Sequence, residues 1–234
     1  MATPRKKAPP SPSPSVASRG GTTGSKRRPP DQARASLLAA ADRLFYEQGL
    51  HAVGVDAIAE AAGVTKRTLY YHFPSKELLI AAYLEARDDA TRLAIDRAVS
   101  AAVSDELSSR ERERSLPAAR ILAVFEHLER WFATPAYRGC PFNNALAEDT
   151  SPGFAEITRR HKSVMRDWLA DQAQLAGARA PKELGAELLV LIDGALNGAL
   201  VFASAEPARV ARRVAATLLK QAGAKLPRSA SPSA

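Results

Sequence analysis

The stretch from Val55 to Phe73, VDAIAEAAGVTKRTLYYHF, constrains this chain more than any other segment, because it predicts two short helices joined by one tight turn. Ile58, Ala59 and Ala62 share a narrow apolar face on a helix started by Gly54 or Val55. Ala59 is small where a second helix must cross closely. Gly63 can take the left-handed conformation that redirects the chain, and Val64 plugs the corner. Thr65 is the expected N-cap of the second helix, whose Leu69 and Phe73, four apart, turn inward.

That packing leaves an outward face on which Lys66 and Tyr70, and Arg67 and Tyr71, form i, i+4 pairs. Between Gly63 and Lys76 there are three cations and no acid, whereas the preceding helix carries Asp56 and Glu60. Positive charge confined to the second helix is what neutralising a nucleic-acid backbone requires, and such a helix enters the major groove by its N-terminal end. By residue type, Lys66 and Arg67 donate to guanine edges, and Thr68 and Tyr70 meet a thymine methyl or a phosphate. Tyr71, His72 and Lys76 are placed to grip phosphates. The bland alternative is a helical hairpin with a solvated basic face, but the ordered run of small residue, glycine, cap, cations and paired tyrosines is much narrower than a charge run.

Leu37 to Tyr83 resembles the N-terminal domain of the TetR family of transcriptional regulators. AADRLFYEQG stands as the first helix, IAEAAGVTKRTLYYHF as the helix-turn-helix and PSKELLIAAY as the opening of the fourth. The resemblance implies a homodimer that binds a palindromic double-stranded operator, most often as a repressor, and is released by a small-molecule effector. One position departs from the family pattern. Where members usually carry Ser or Thr before the second helix, this chain has Val53 and Gly54, so Gly54 offers a phosphate only its backbone amide.

The net charge of +8 is uneven: residues 1–30 hold seven Lys or Arg and no acid, which leaves +1 for the remainder. This Pro-, Ser- and Gly-rich opening lacks the apolar groups needed to repay ordering, so it is expected to be a disordered basic tail, as is 226–234 a shorter one. Arg19, Lys26, Arg27 and Arg28 either add phosphate contacts or merely solubilise. No apolar stretch follows Arg5, Lys6 and Lys7, as a secretory signal would need. Cys140 is the single cysteine, so an intrachain disulfide is excluded, and the four scattered histidines give no metal-ligand spacing. Neither a metal nor a cofactor is expected. GxSxG, P-loop and dinucleotide motifs are absent from the sequence, which argues against an enzyme. The longest apolar run, Leu188 to Phe202, is interrupted by Asp193 and Asn197 and is short for a membrane span, so a cytoplasmic protein is expected.

No segment alternates like a strand, which predicts an all-α chain of about nine helices, with a reader over 31–84 and an effector-binding and dimerisation body over 85–225. Asp31 is expected to cap a first helix that packs Leu37, Ala41, Leu44 and Phe45 under the reader. Pro74 stops the recognition helix, and Ser75 caps a long fourth one with Leu78, Leu79, Tyr83, Ala86 and Leu93, running to about Val103. SDELSSRERERS reads as a solvated loop or ragged helix end. Pro117, Pro141, Pro152, Pro181 and Pro207 each open a helix, and Phe154, Ile157, His161, Val164 and Trp168 mark one stripe.

The helix from Lys182 to Ala203 is apolar almost all round, with Gly194 and Gly198 in GxxxG spacing. With Val210, Val214 and Leu218 of the last helix it is expected to form half of a four-helix dimer interface; an internal core helix is the alternative. Candidate effector-pocket residues are the polar groups His161, Asn143, Asn144, Asp193 and Asn197, with walls from Trp131, Phe142, Trp168 and Phe202. Cys140, in YRGCPF, joins them because many TetR-like chains carry a similar segment near their pocket; it is either a redox thiol or inert. The effector itself is expected to be partly apolar. A competing reading is a helical interaction protein that keeps the helix-turn-helix shape without sequence-specific DNA binding.

Overall fold

The computed structural model describes residues 30–101 and 109–227, with side chains described over 31–101 and 115–227. The expectations for residues 1–29 and 228–234 lie outside the described residues. Among those described, every regular element is a helix: α1 (Pro30–Gln48), α2 (Val55–Ala61), α3 (Lys66–His72), α4 (Lys76–Ala101), α5 (Ser109–Phe132), α6 (Pro141–Glu148), α7 (Pro152–Leu175), α8 (Pro181–Phe202) and α9 (Glu206–Gln221).

The first three helices and the start of α4 enclose one core. Leu37, Ala41, Leu44 and Phe45 of α1 are buried with Ile58, Ala59, Leu69, Phe73, Leu79 and Tyr83. Gly63 takes φ +64°, the left-handed value the α2–α3 corner needs. Thr65 is the N-cap of α3, its hydroxyl accepting from the Thr68 amide at 3.1 Å, and Ser75 does the same for the Leu78 amide at 3.2 Å. Asp31 lies in the first turn of α1, which begins at Pro30 instead of at an aspartate cap.

The rest of the chain forms a helical body in which α5, α7, α8 and α9 pack around Phe125, Ile121, Leu169, Leu188 and Leu219. Three expectations need correction here. Pro117 does not open α5; it sits inside, because the helix already begins at Ser109 within the supposed loop. Proline's fixed φ suits a helix, and burial of Pro117, Ala118 and Ile121 offsets the one hydrogen bond lost. On α4, Leu78 and Leu93 are 52% and 50% exposed, and the buried stripe is instead Leu79, Ile80, Tyr83, Leu84 and Ile95. On α7 the inner seam is Phe154, Thr158, His161, Leu169 and Ala173, so Val164 is exposed and Trp168 only half-buried. Helix α4 runs unbroken through Leu84, and is therefore shared by reader and body.

Helix α8 has the length and hydropathy of a membrane span. Leu184, Leu188, Ile192, Leu196 and Ala199 bury against the body, which gives one side of the helix a protein partner.

Candidate nucleic-acid interface and ligand cavity

Helix α3 is anchored by Leu69 and Phe73, which turns Lys66, Arg67, Tyr70 and Tyr71 to solvent. Tyr71 is 78% exposed and Tyr70 42%. The two cations are not equivalent. The Lys66 ammonium lies 3.0 Å from Asp56 of α2, and that pairing raises its pKa. Arg67 has no ion-pair partner among the described residues, so its full guanidinium fork is available to a ligand. The Thr68 hydroxyl is tied to Thr65 at 2.9 Å, and the His72 ring packs edge-on against Tyr71 with centroids 5.0 Å apart. Gly54 is the N-cap of α2 with extended backbone and no side-chain cap, and a Cβ there would meet nothing within 4 Å. Lys76 starts α4 close after the turn. Eight of the nine expected contact residues thus fall on α3 or immediately beside it, and Gly54 stands at the start of α2.

Inside the body, α4, α5, α7 and α8 enclose a cavity of about 480 Å³ closed at one end by the start of α6. Its wall holds Trp131, Cys140, Phe142 and His161 from the expected set, together with Arg87, His127, Arg130 and Lys162, which sequence reasoning missed. The expected Asn143, Asn144, Trp168, Asp193, Asn197 and Phe202 are not in the wall. Asn143 and Asn197 are exposed because they lie on the outer sides of α6 and α8. The Asn144 amide instead donates to the Arg138 carbonyl at 2.8 Å, closing the turn before α6. Asp193 stands behind the wall, where its carboxylate receives the Lys162 ammonium.

His161 stacks on Phe142 at 3.8 Å and donates Nδ1–H to the buried Asp88 carboxylate at 2.6 Å. Burial holds its pKa below the ordinary histidine value, so the ring is neutral at pH 7 and Nε2 keeps a lone pair. Asp88 stays ionised, since the hydrogen bonds from His161 and Arg92 outweigh its own desolvation. His127 is likewise pushed down, by burial and then by Arg130. Cys140 is buried, with Lys162 Nζ 3.9 Å from its sulfur. No group of three or more potential metal ligands occurs among the described residues.

The turn at the cavity's closed end also touches the reader. Tyr46 of α1 donates its hydroxyl to the Gly139 carbonyl at 3.0 Å and accepts from the Arg138 amide at 2.9 Å. His51, in the α1–α2 turn, meets Glu148 at the end of α6 twice, at 3.0 and 2.8 Å. Arg87 of the cavity wall reaches Asp42 of α1 at 2.5 Å and lies over the Tyr46 ring at 4.3 Å.

A second concavity, about 690 Å³ and open, lies between α8 and α9 on the outside of the body. Gly194, Gly198, Val210 and Val214 line it beside Val190, Phe202 and Pro207, whereas Leu218 is half-buried outside it. Val190 and Phe202 are 70% and 73% exposed. The two glycines differ: a Cβ on Gly194 would meet open space, but one on Gly198 would lie 3.2 Å from Pro207 of the same chain. Gly198 therefore serves the α8–α9 crossing within one protomer.

Residues 37–83 match the profile of the bacterial regulatory proteins of the tetR family. Over the longer span, a TetR-type transcriptional regulator of Streptomyces avermitilis is 30% identical and superposes with a TM-score of 0.65, covering 82% of this chain and 98% of that one. The chain belongs to the TetR family. SCO4454, a TetR-family transcriptional regulator from Streptomyces coelicolor, is 29% identical with a TM-score of 0.71, over 82% of this chain and 96% of its own. The HTH-type transcriptional activator FasR of Mycolicibacterium smegmatis is 46% identical over 70 residues, which are 30% of this chain and 32% of FasR. EthR of the same organism, an HTH-type transcriptional regulator, is 25% identical over 183 residues, 74% of this chain and 76% of its own. High identity is thus concentrated in the reader, while the fold and identities of 25–30% extend across the body of this TetR-family member. The protein is a DNA-binding transcriptional regulator of that family.

Proposed function

We propose that this regulator is a homodimeric repressor whose two α3 helices read a palindromic operator, and that a small molecule in the 480 Å³ cavity releases it. Residues 31–84 act as the reader and 85–225 as the sensing and dimerising body. Repression is the simplest mode, because occupying an operator blocks transcription without any further contact. The protein acts by binding and not by catalysis, and works in the cytoplasm where the chromosome lies.

The observation that carries this reading is the free Arg67 fork between two exposed tyrosines on a helix whose other face is buried. Arg67 contacts a guanine edge, Tyr70 and Thr68 meet a thymine methyl or phosphate, and Tyr71, His72, Lys76 and the Gly54 amide hold the backbone. Lys66 contributes less than its charge suggests, since Asp56 already engages it. In a dimer the two α3 helices must meet successive major grooves about 34–36 Å apart. Cavity ligands act by favouring a conformation with the wrong spacing.

Fluorescence anisotropy on the protein's own upstream DNA tests the reader. Arg67→Ala should cost about 1–3 kcal/mol and relax specificity at one base pair, with Tyr70→Ala smaller. Equal affinity for unrelated DNA at all salt concentrations would overturn the reading and favour a helical interaction protein.

A further inference from the structure

The charged groups of the cavity wall are few and stand among mostly apolar neighbours. Arg87 precedes Ala94 and Ile95 by about two turns of α4, roughly 11 Å at 1.5 Å per residue. Trp131 likewise lies seven residues from Val124 on α5, and Leu196 seven from Leu189 on α8. The Arg87 end is the reader's end, fixed there by Asp42, and the Cys140 turn joins it through Tyr46. Arg87 and, beside Cys140, Lys162 stand toward that end, whereas Ile95, Val124 and Leu189 lie about two turns away along their helices.

Every charged side chain in the wall is basic, and no Asp or Glu lines it. The acids that balance Arg87 and Lys162, namely Asp42 and Asp193, are outside the wall. Arg130, at the exposed rim, has no ion-pair partner among the described residues. A cation entering the cavity would meet basic side chains and no carboxylate in the wall, and a wholly apolar molecule would leave their remaining donors without an acceptor. An anionic head with an apolar tail satisfies both ends.

We propose that the cavity takes an amphipathic organic monoanion, a carboxylic acid with an apolar body, whose carboxylate competes with Asp42 for Arg87. The proposal rests on the reading of this cavity as the effector site. It also assigns the release step: Arg87–Asp42 ties α4 to α1 of the reader, and a ligand carboxylate taking a share of that guanidinium weakens the tie.

Isothermal titration of the full chain with decanoate, decanamide and decylamine separates the charge states on one tail. Decanoate should bind at least about tenfold more tightly than decanamide, with decylamine weakest. Lys162→Met and, at the exposed rim, Arg130→Met should each shrink the decanoate-to-decanamide ratio on chains shown folded by circular dichroism. Asp42→Asn, which removes the competitor, should tighten decanoate. Equal binding of the amide or the amine, an unchanged ratio in both variants, or no binding by any of the three up to millimolar concentration would overturn the proposal. If decanoate is preferred but leaves operator anisotropy unchanged, the ligand class stands, and the reading of the cavity as the releasing site falls.

Discussion

The proposed dimer surface can be tested at one residue because a single chain leaves it bare. Val190 is 70% exposed on α8, and the one charged residue lining the groove among those described, Glu206, lies at its far end, paired with Arg209. Fully burying a valine, leucine or phenylalanine stabilises by about 1.5–3 kcal/mol, so covering the exposed part of Val190 contributes roughly 1–2 kcal/mol. A two-fold interface counts every substitution twice. Val190→Asp thus forfeits roughly 2–4 kcal/mol of apolar burial and buries two carboxylates in a groove lined by no Lys or Arg, at several kcal/mol each. Even about 5 kcal/mol in total corresponds to a dimer Kd weakened more than a thousandfold, at about 1.4 kcal/mol per decade. The folded monomer should be nearly unaffected, since surface substitutions away from special features stay within about 0.5 kcal/mol. Sedimentation equilibrium from nanomolar to micromolar chain reads the dissociation, and circular dichroism confirms the fold. A variant that remains as tightly dimeric as the parent would refute the assignment of this face. Gly198→Leu is a poorer probe than it looks from the sequence, because its side chain would first strike Pro207 of its own chain.

The other predictions concern the body and its contact with the reader. Gly185→Ala brings a Cβ within 2.9 Å of the Ala170 amide and the Arg166 carbonyl, both backbone, so α7 and α8 must part; urea denaturation should show a loss of about 1–3 kcal/mol. Because burial and Arg130 depress the His127 pKa, the unfolded chain takes up that proton first as pH falls. Its contribution is complete above the ordinary histidine value and is lost below it, so denaturation midpoints should fall from about pH 7 to about pH 5, and His127→Gln should flatten the decline by up to about 1.4 kcal/mol per unit of pKa shift. Tyr46→Phe removes the hydroxyl that bonds both Arg138 and Gly139, and operator release by a cavity ligand, read by anisotropy, should weaken while binding of that ligand persists.

The reader was legible because its determinants are short-range. Gly63, Thr65, Leu69 and Phe73 act on neighbours within one or two turns, and each takes the conformation or burial its spacing implies. The body depends on partners far along the chain. Arg87 is held by Asp42, 45 residues away, and Lys162 by Asp193, 31 away, so both read as ordinary solvated cations on helix faces. The same blindness put Asn197 in the pocket: two polar residues on an apolar helix looked paired, yet Asp193 turns toward Lys162 and Asn197 toward solvent. Pro117 misled for a different reason, since its usual place at a helix start carries no information about what tertiary burial will tolerate. A signal for Arg87 and Lys162 did exist, in the absence of acids three or four residues away on the same faces as Ile95 and Met165, but it required knowing which faces converge.

The segment from Arg138 to Phe142 links cavity and reader more directly than the length of α4 does. Cys140, Pro141 and Phe142 form cavity wall, while the two residues just before them hold the Tyr46 hydroxyl. Two hydrogen bonds of this kind contribute about 1–3 kcal/mol together. A typical coupling between effector and operator affinity is also about 1–3 kcal/mol. Displacing this one turn therefore provides the whole free energy a switch of ordinary strength needs, without deforming either core. The ion pair at Arg87–Asp42 sits on the same side of the cavity and adds to it. In the proposed release, ligand and operator compete for the position of a few residues, and the remainder of the body needs only to hold those residues rigidly enough for the competition to be felt.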